Sequence, residues 1–171
     1  IFTPDELSDV NVLRANHLEH TLFINQNGKS FQDSTLPRSA QYSIQQSAVT
    51  LDVNNDGKTD IITGGNFYGT DAEFGRYDAS IGSILIQNGS NNFDALATKE
   101  SGFKIPGNVS KILQIIINKE THLLIVRNND NFSLFHFIAH LHSGRIVIFI
   151  LGEQDSLRSC FQTFGVAFTL L

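Results

Sequence analysis

The chain has 171 residues, a net charge of −5 and a single cysteine, and it lacks methionine and tryptophan. That length supports one ordinary domain with a real core, and the lone Cys160 excludes an internal disulfide framework. The negative balance, without a basic stripe or an interleaving of aromatic and basic residues, excludes nucleic acid as the main partner.

Beginning at Ile1 without Met or a charged-then-apolar leader, the sequence reads as a fragment and says nothing directly about export. Thr3-Pro4-Asp5-Glu6 has the form of a helix start or turn. Val10 to His20 alternates poorly, as irregular chain or a short strand would. Thr21-Leu22-Phe23-Ile24-Asn25 predicts a strand, Gln26-Asn27-Gly28-Lys29 a hairpin turn, and Ser30-Phe31-Gln32-Asp33 the returning strand. A polar connection follows Pro37.

Ala48-Val49-Thr50-Leu51 and Ile61-Ile62-Thr63 are β-branched and aliphatic, which suits two strands. The segment between them, Asp52 to Asp60, carries oxygen-bearing side chains at its positions 1, 3, 5 and 9. Calcium is a hard cation that takes about six to eight oxygens, and a tight loop supplies them from alternate residues. Asp52, Asn54, Asp56 and Asp60 would give side-chain oxygens and Lys58 its backbone carbonyl, while Gly57 allows the positive φ of a sharp bend. An EF-hand loop starts the same way but closes with Glu at position 12, where Thr63 stands, so the helical version is disfavoured. The plainer reading is a solvated Asn/Asp/Gly turn. Against it stand four ligand positions in phase, and three carboxylates that would repel one another without a cation.

The pattern then recurs. An offset of 62 sets Phe31 on Phe93, Phe23-Ile24-Asn25 on Leu85-Ile86-Gln87, Leu51 on Leu113, Ile61-Ile62 on Leu123-Leu124 and Asn66 on Asn128, which is an internal repeat. At the ligand positions the copies diverge: Asp52, Asn54, Asp56 and Asp60 fall on Gln114, Ile116, Asn118 and His122. The second copy keeps the strands and loses the oxygen site.

These residues resemble the FG-GAP-like or VCBS repeats of β-propeller proteins, whose unit joins a hairpin of the form L-F-N-G-G-F to a D-x-N-x-D-G-x-x-D loop. The matching pieces are Leu22 to Asn25 with Asn27-Gly28 and Phe31, then Asp52 to Asp60 and Ile61-Ile62-Thr63-Gly64-Gly65. The run from Gly64 to Gly69, with Glu73 to Ser80, is similar to the closing part of large bacterial multi-repeat surface proteins of that group. The resemblance covers about residues 15 to 135. It implies an all-β partial β-propeller of about two blades, calcium as a structural ion, an extracellular or cell-surface location, and binding rather than catalysis.

Residues 66 to 82 make a longer, aromatic-rich connection. Tyr68, Arg76, Tyr77 and Asp78, with Phe67 and Phe74, would form a surface for a protein or glycan ligand, or would pack the loop onto its own blade with Arg76 paired to a carboxylate. From about Leu134 the glycine and turn pattern fades, so residues 136 to 171 read as an atypical and non-native tail after a repeat region spanning 1 to 135. Its run from Ile146 to Leu151 is too short to span a membrane, where about twenty apolar residues are needed. His136, His140 and His142 crowd together and invite a zinc reading that lacks a nearby Cys or carboxylate.

Two functions follow. One is a calcium-stabilised segment of an exported binding, adhesion or scaffold protein. The alternative is part of a propeller enzyme acting on polysaccharide or ester substrates, although no nucleophile elbow, HExxH or phosphate loop is present. Two repeats cannot close a ring of about four to eight blades, so exposed faces predict self-association or contact with the remaining blades of a parent chain.

Overall fold

The structure is a computed structural model that describes residues 3, 5, 10, 11, 13–89, 91–142 and 145–150, with side chains described outside 137–150. Within these, β1 (Thr21–Asn25) and β2 (Phe31–Thr35) form a two-stranded hairpin followed by a 3-10 turn over Arg38–Gln41. A four-stranded antiparallel sheet contains, in spatial order, β3 (Gln45–Leu51), β4 (Asp60–Gly65), β5 (Ser83–Gly89) and β6 (Asn92–Leu96). One helical turn, α1 (Thr98–Ser101), leads to a second four-stranded sheet of β7 (Val109–Ile117), β8 (Glu120–Arg127), β9 (Ser133–His142) and β10 (Arg145–Ile150). The described residues contain no helix long and apolar enough to cross a membrane.

Side chains alternate across a strand, and that period sorts the apolar residues into layers. Ile61 pairs with Leu85 on one face of the first sheet, and Ile62 with Ile84 on the other. Ile62 and Ile84 join Val53, Phe103, Ile105, Ile112, Leu123 and Phe135 in a core between the two larger sheets. Ile61 and Leu85 pack instead with Ala40, Leu22 and Phe93, under the β1–β2 hairpin. Burying an aliphatic side chain of this kind contributes about 1.5–3 kcal/mol. Gly64 lets the sheets approach, since a Cβ there would lie 2.7 Å from Ile105 Cδ1. Where the sheets meet, Ile112 N–H donates to Ser47 Oγ on β3 at 2.9 Å.

The repeat is visible in the strand pairing. Asn25 faces Phe31 as Gln87 faces Phe93, and Phe23 faces Asp33 as Leu85 faces Ala95, so the two hairpins share one register at an offset of 62. The next pair diverges. Leu51 faces Asp60, yet Leu113 faces Leu124, a slip of two residues from the equivalent His122. The cause is the connection: the polar loop between β3 and β4 is replaced by a turn at Asn118 and Lys119, whose φ values of 53° and 69° are both left-handed. That is the backbone of a two-residue type I′ hairpin, and it lets β7 run on to Ile117.

The start of the expected tail, from residue 136, is strand as well. Strand β9 runs across that position and β10 takes in most of the bare apolar run, so both complete the second sheet. Residues 143, 144 and 151–171 of the expected tail lie outside the described residues.

Candidate metal centre

The loop between β3 and β4 is built from its own side chains. Asp52 accepts from Asp56 N–H at 3.1 Å and from Gly57 N–H at 2.8 Å, one bond to each carboxylate oxygen. Asn54 Oδ1 accepts from the same Asp56 N–H at 3.1 Å. Asp56 Oδ1 accepts from Lys58 N–H at 2.9 Å, and its Oδ2 receives Asn54 Nδ2 at 3.2 Å and Lys58 Nζ at 3.0 Å. Asn and Asp favour such local bonds to nearby backbone, which is why this sequence turns rather than extending the strands. Asn55 and Gly57 take the left-handed conformation, with φ of 57° and 81°.

Asp60 stands apart from the rest of the set. It is fully buried, its Oδ2 accepts from Val53 N–H at 2.9 Å, and its Oδ1 accepts from Gln87 N–H on β5 at 2.9 Å. It therefore ties the base of the loop to the neighbouring strand, a role that spacing alone does not disclose. Asp56 is exposed, and its carboxyl is held below the usual 3.8, first by the backbone N–H of Lys58 and then by that residue's side chain.

The structure thus brings Asp52, Asn54, Asp56, Lys58 and Asp60 onto one loop. Asp52, Asn54 and Asp56 turn side-chain oxygens onto N–H groups of the same short stretch, and the donor set is all oxygen, which suits a hard cation. Asp52, Asp56 and Asp60 do not form a group with ligand atoms mutually within 4.8 Å, whereas Glu120, His122 and His136 do. The ammonium of Lys58 sits against Asp56, so one positive charge already occupies the loop's mouth.

The second set of expected residues lies on the connection from β4 to β5. Arg76 lies over the Tyr68 ring at 4.9 Å from its centroid; the carboxylate pairing belongs to the alternative in which the loop packs onto its own blade. Tyr77 and Phe67 exchange N–H to carbonyl bonds at 2.9 and 3.0 Å. Asp78 is exposed, and Phe74 and Tyr77 are 70% and 47% exposed. The loop is closed by Asn66, a residue whose importance the sequence signalled only through its repeat partner Asn128. Buried at 1% exposure, Asn66 accepts from Ser80 N–H at 2.9 Å and donates Nδ2 to the carbonyls of Ser80 at 2.8 Å and Gly107 at 2.9 Å.

The three-histidine reading of the tail is altered by the strand. His136, His140 and His142 all fall on β9, where a rise of about 3.3 Å per residue puts the first two about 13 Å apart, too far for one ion. The side chains of His140 and His142 lie outside the described residues.

Antiparallel sheets stacked face to face, with a repeated hairpin register, define an all-β repeat protein. Residues 45–85 match the family model of the FG-GAP repeat, so β3, the acidic loop, β4 and the start of β5 constitute an FG-GAP-like repeat. The match carries that name alone and does not extend to VCBS. No curated protein and no solved structure matches the chain significantly.

Proposed function

We propose that this chain is a calcium-stabilised β-propeller segment of an exported or cell-surface protein, and that its role is binding, adhesion or scaffolding rather than catalysis. The observation that carries the reading is the acidic loop: within the FG-GAP match, its oxygens turn inward onto loop N–H groups and Asp60 anchors its base. Asp52, Asn54, Asp56 and Asp60 would hold the ion, with the Lys58 carbonyl, after the Lys58 ammonium leaves Asp56. Bound calcium would neutralise the carboxylates and fix the β3–β4 connection. A weak site suffices outside cells, where the ion is abundant and dissociation constants of about 0.1–1 mM are typical of extracellular modules.

The stacking of layers supports the propeller form. Each larger sheet is read as one blade, with Leu85 and Phe93 of the first covered by the β1–β2 hairpin. Their equivalents on that hairpin, Phe23 and Phe31, are 60% and 69% exposed, and so present a face for another blade of the parent chain or a second copy. Ligand contact is assigned to Tyr68, Arg76, Tyr77 and Asp78, because the 66–82 loop is braced by Asn66 while its aromatic rings remain accessible.

Calcium titration by calorimetry and thermal melting, on the chain and on Asp56→Ala, tests this. Calcium is expected to raise the melting temperature of the unaltered chain and leave the variant unchanged. No response from either protein would reduce the loop to a polar turn.

A further inference from the structure

The second repeat loses the oxygen loop but carries a different donor set at the same place. His122 lies 62 residues after Asp60 and is buried as Asp60 is, at 5% exposure. In register with it on β9 is His136, and the two imidazoles stack with centroids 4.4 Å apart and planes 9° from parallel. Glu120, two residues before His122 and thus on the same face of β8, places Oε2 3.1 Å from His136 Nε2. One ligand atom from each of these three residues lies within 4.8 Å of the other two.

The chemistry of the cluster favours metal. The carbonyl of Glu120 is 3.1 Å from His122 Nδ1; a carbonyl only accepts, so Nδ1 carries the proton and Nε2 keeps its lone pair. That backbone-held tautomer is the one by which proteins orient metal-binding imidazoles. The Glu120 carboxylate, which only accepts, lies 3.1 Å from His136 Nε2, so in the metal-free protein that nitrogen donates to it, and the ion would displace this proton on binding.

We propose that Glu120, His122 and His136 form a site for a divalent transition-metal ion of the zinc class, with water completing the coordination. Two imidazoles and a carboxylate suit zinc and disfavour calcium, which takes oxygen ligands. Tetrahedral zinc with bonds of about 2.0–2.1 Å needs ligand atoms about 3.3–3.4 Å apart. Glu120 and His136 already meet at 3.1 Å, and binding would need a turn of the stacked rings, with the Glu120 side chain, 61% exposed, following. The ion would tie β8 to β9, as Asp60 ties β4 to β5 through Gln87 N–H.

The test is zinc(II) titrated into the full chain in calcium-containing buffer, followed by calorimetry and by imidazole nitrogen signals in long-range proton–nitrogen spectra. Binding should raise the melting temperature and shift the ring nitrogens of His122 and His136. Glu120→Gln and His136→Asn should each weaken zinc binding at least about tenfold while leaving the calcium response intact, and a His140→Ala, His142→Ala double variant should bind zinc normally. Absence of zinc binding overturns the proposal, as do shifts confined to other histidines. Because those shifts are read on the unaltered chain, a variant that fails to fold does not shelter it.

Discussion

Asp60→Ala separates the hydrogen-bonding duty of the buried carboxylate from the metal-binding duty proposed for it. Without metal the variant strands the N–H groups of Val53 and Gln87, which bond at 2.9 Å each to the fully buried Asp60, the Val53 bond buried and the Gln87 bond partly so. A hydrogen bond to a charged group contributes about 1.5–3 kcal/mol net, so the pair is worth about 3–6 kcal/mol. Water entering the vacated space restores one partner, and a loss of about 3 kcal/mol is expected in chelator. For a chain of this size each kcal/mol moves the melting temperature by about 2–4 °C, giving a drop of about 6–12 °C. Calcium at ten to a hundred times its dissociation constant adds about 1.4–2.7 kcal/mol to the unaltered chain by linkage. The variant gains none of this, so the gap should widen to about 4–6 kcal/mol. Urea denaturation followed by circular dichroism, in chelator and in calcium, measures both differences. A loss below about 0.5 kcal/mol in chelator would refute the strut, and an equal gap in the two buffers would refute the ligand.

Phe23→Ser with Phe31→Ser removes the two exposed rings of the hairpin and should shift sedimentation of the chain toward monomer with little loss of stability; an unchanged distribution would place the contact elsewhere. In metal-free protein, burial and the neighbouring His122 depress the pKa of His136, so the unfolded state takes up a proton first as acid is added. Stability should therefore fall as pH drops through about 6.5 toward the folded value, and His136→Asn should flatten that part of the profile.

The hairpins were legible because their signals are local. Asn27-Gly28 marks the first turn, and identical offsets at Phe31 and Phe93 correspond to identical pairings in the fold. The acidic loop was legible for the same reason, as all its residues sit within one connection. What escaped was whatever the register decides. His122 and His136 are 14 residues apart and meet only because β8 pairs with β9 at that position, whereas the sequence drew attention to His136, His140 and His142, which a strand holds apart. The pairing of β9 and β10 escaped too, since Ser133 to Ile150 contains no Asn-Gly turn and no repeat-matched Phe. Backbone pairing needs neither.

The divergence of the two repeats is a single coupled change. Closing the β3–β4 loop into the Asn118-Lys119 turn slips the β7–β8 register by two residues, and two is the one small slip that leaves every side chain on its own face. Ile112, Leu123 and Ile125 therefore still enter the core opposite Ile62 and Ile84. His122 likewise keeps the face and depth of Asp60, but with no acidic loop beside it and with His136 across the strand. An odd slip would have turned His122 into the core and Leu123 outward. The second repeat thus lacks the acidic loop while keeping the packing between sheets, and the position equivalent to Asp60 is where the imidazoles of His122 and His136 meet.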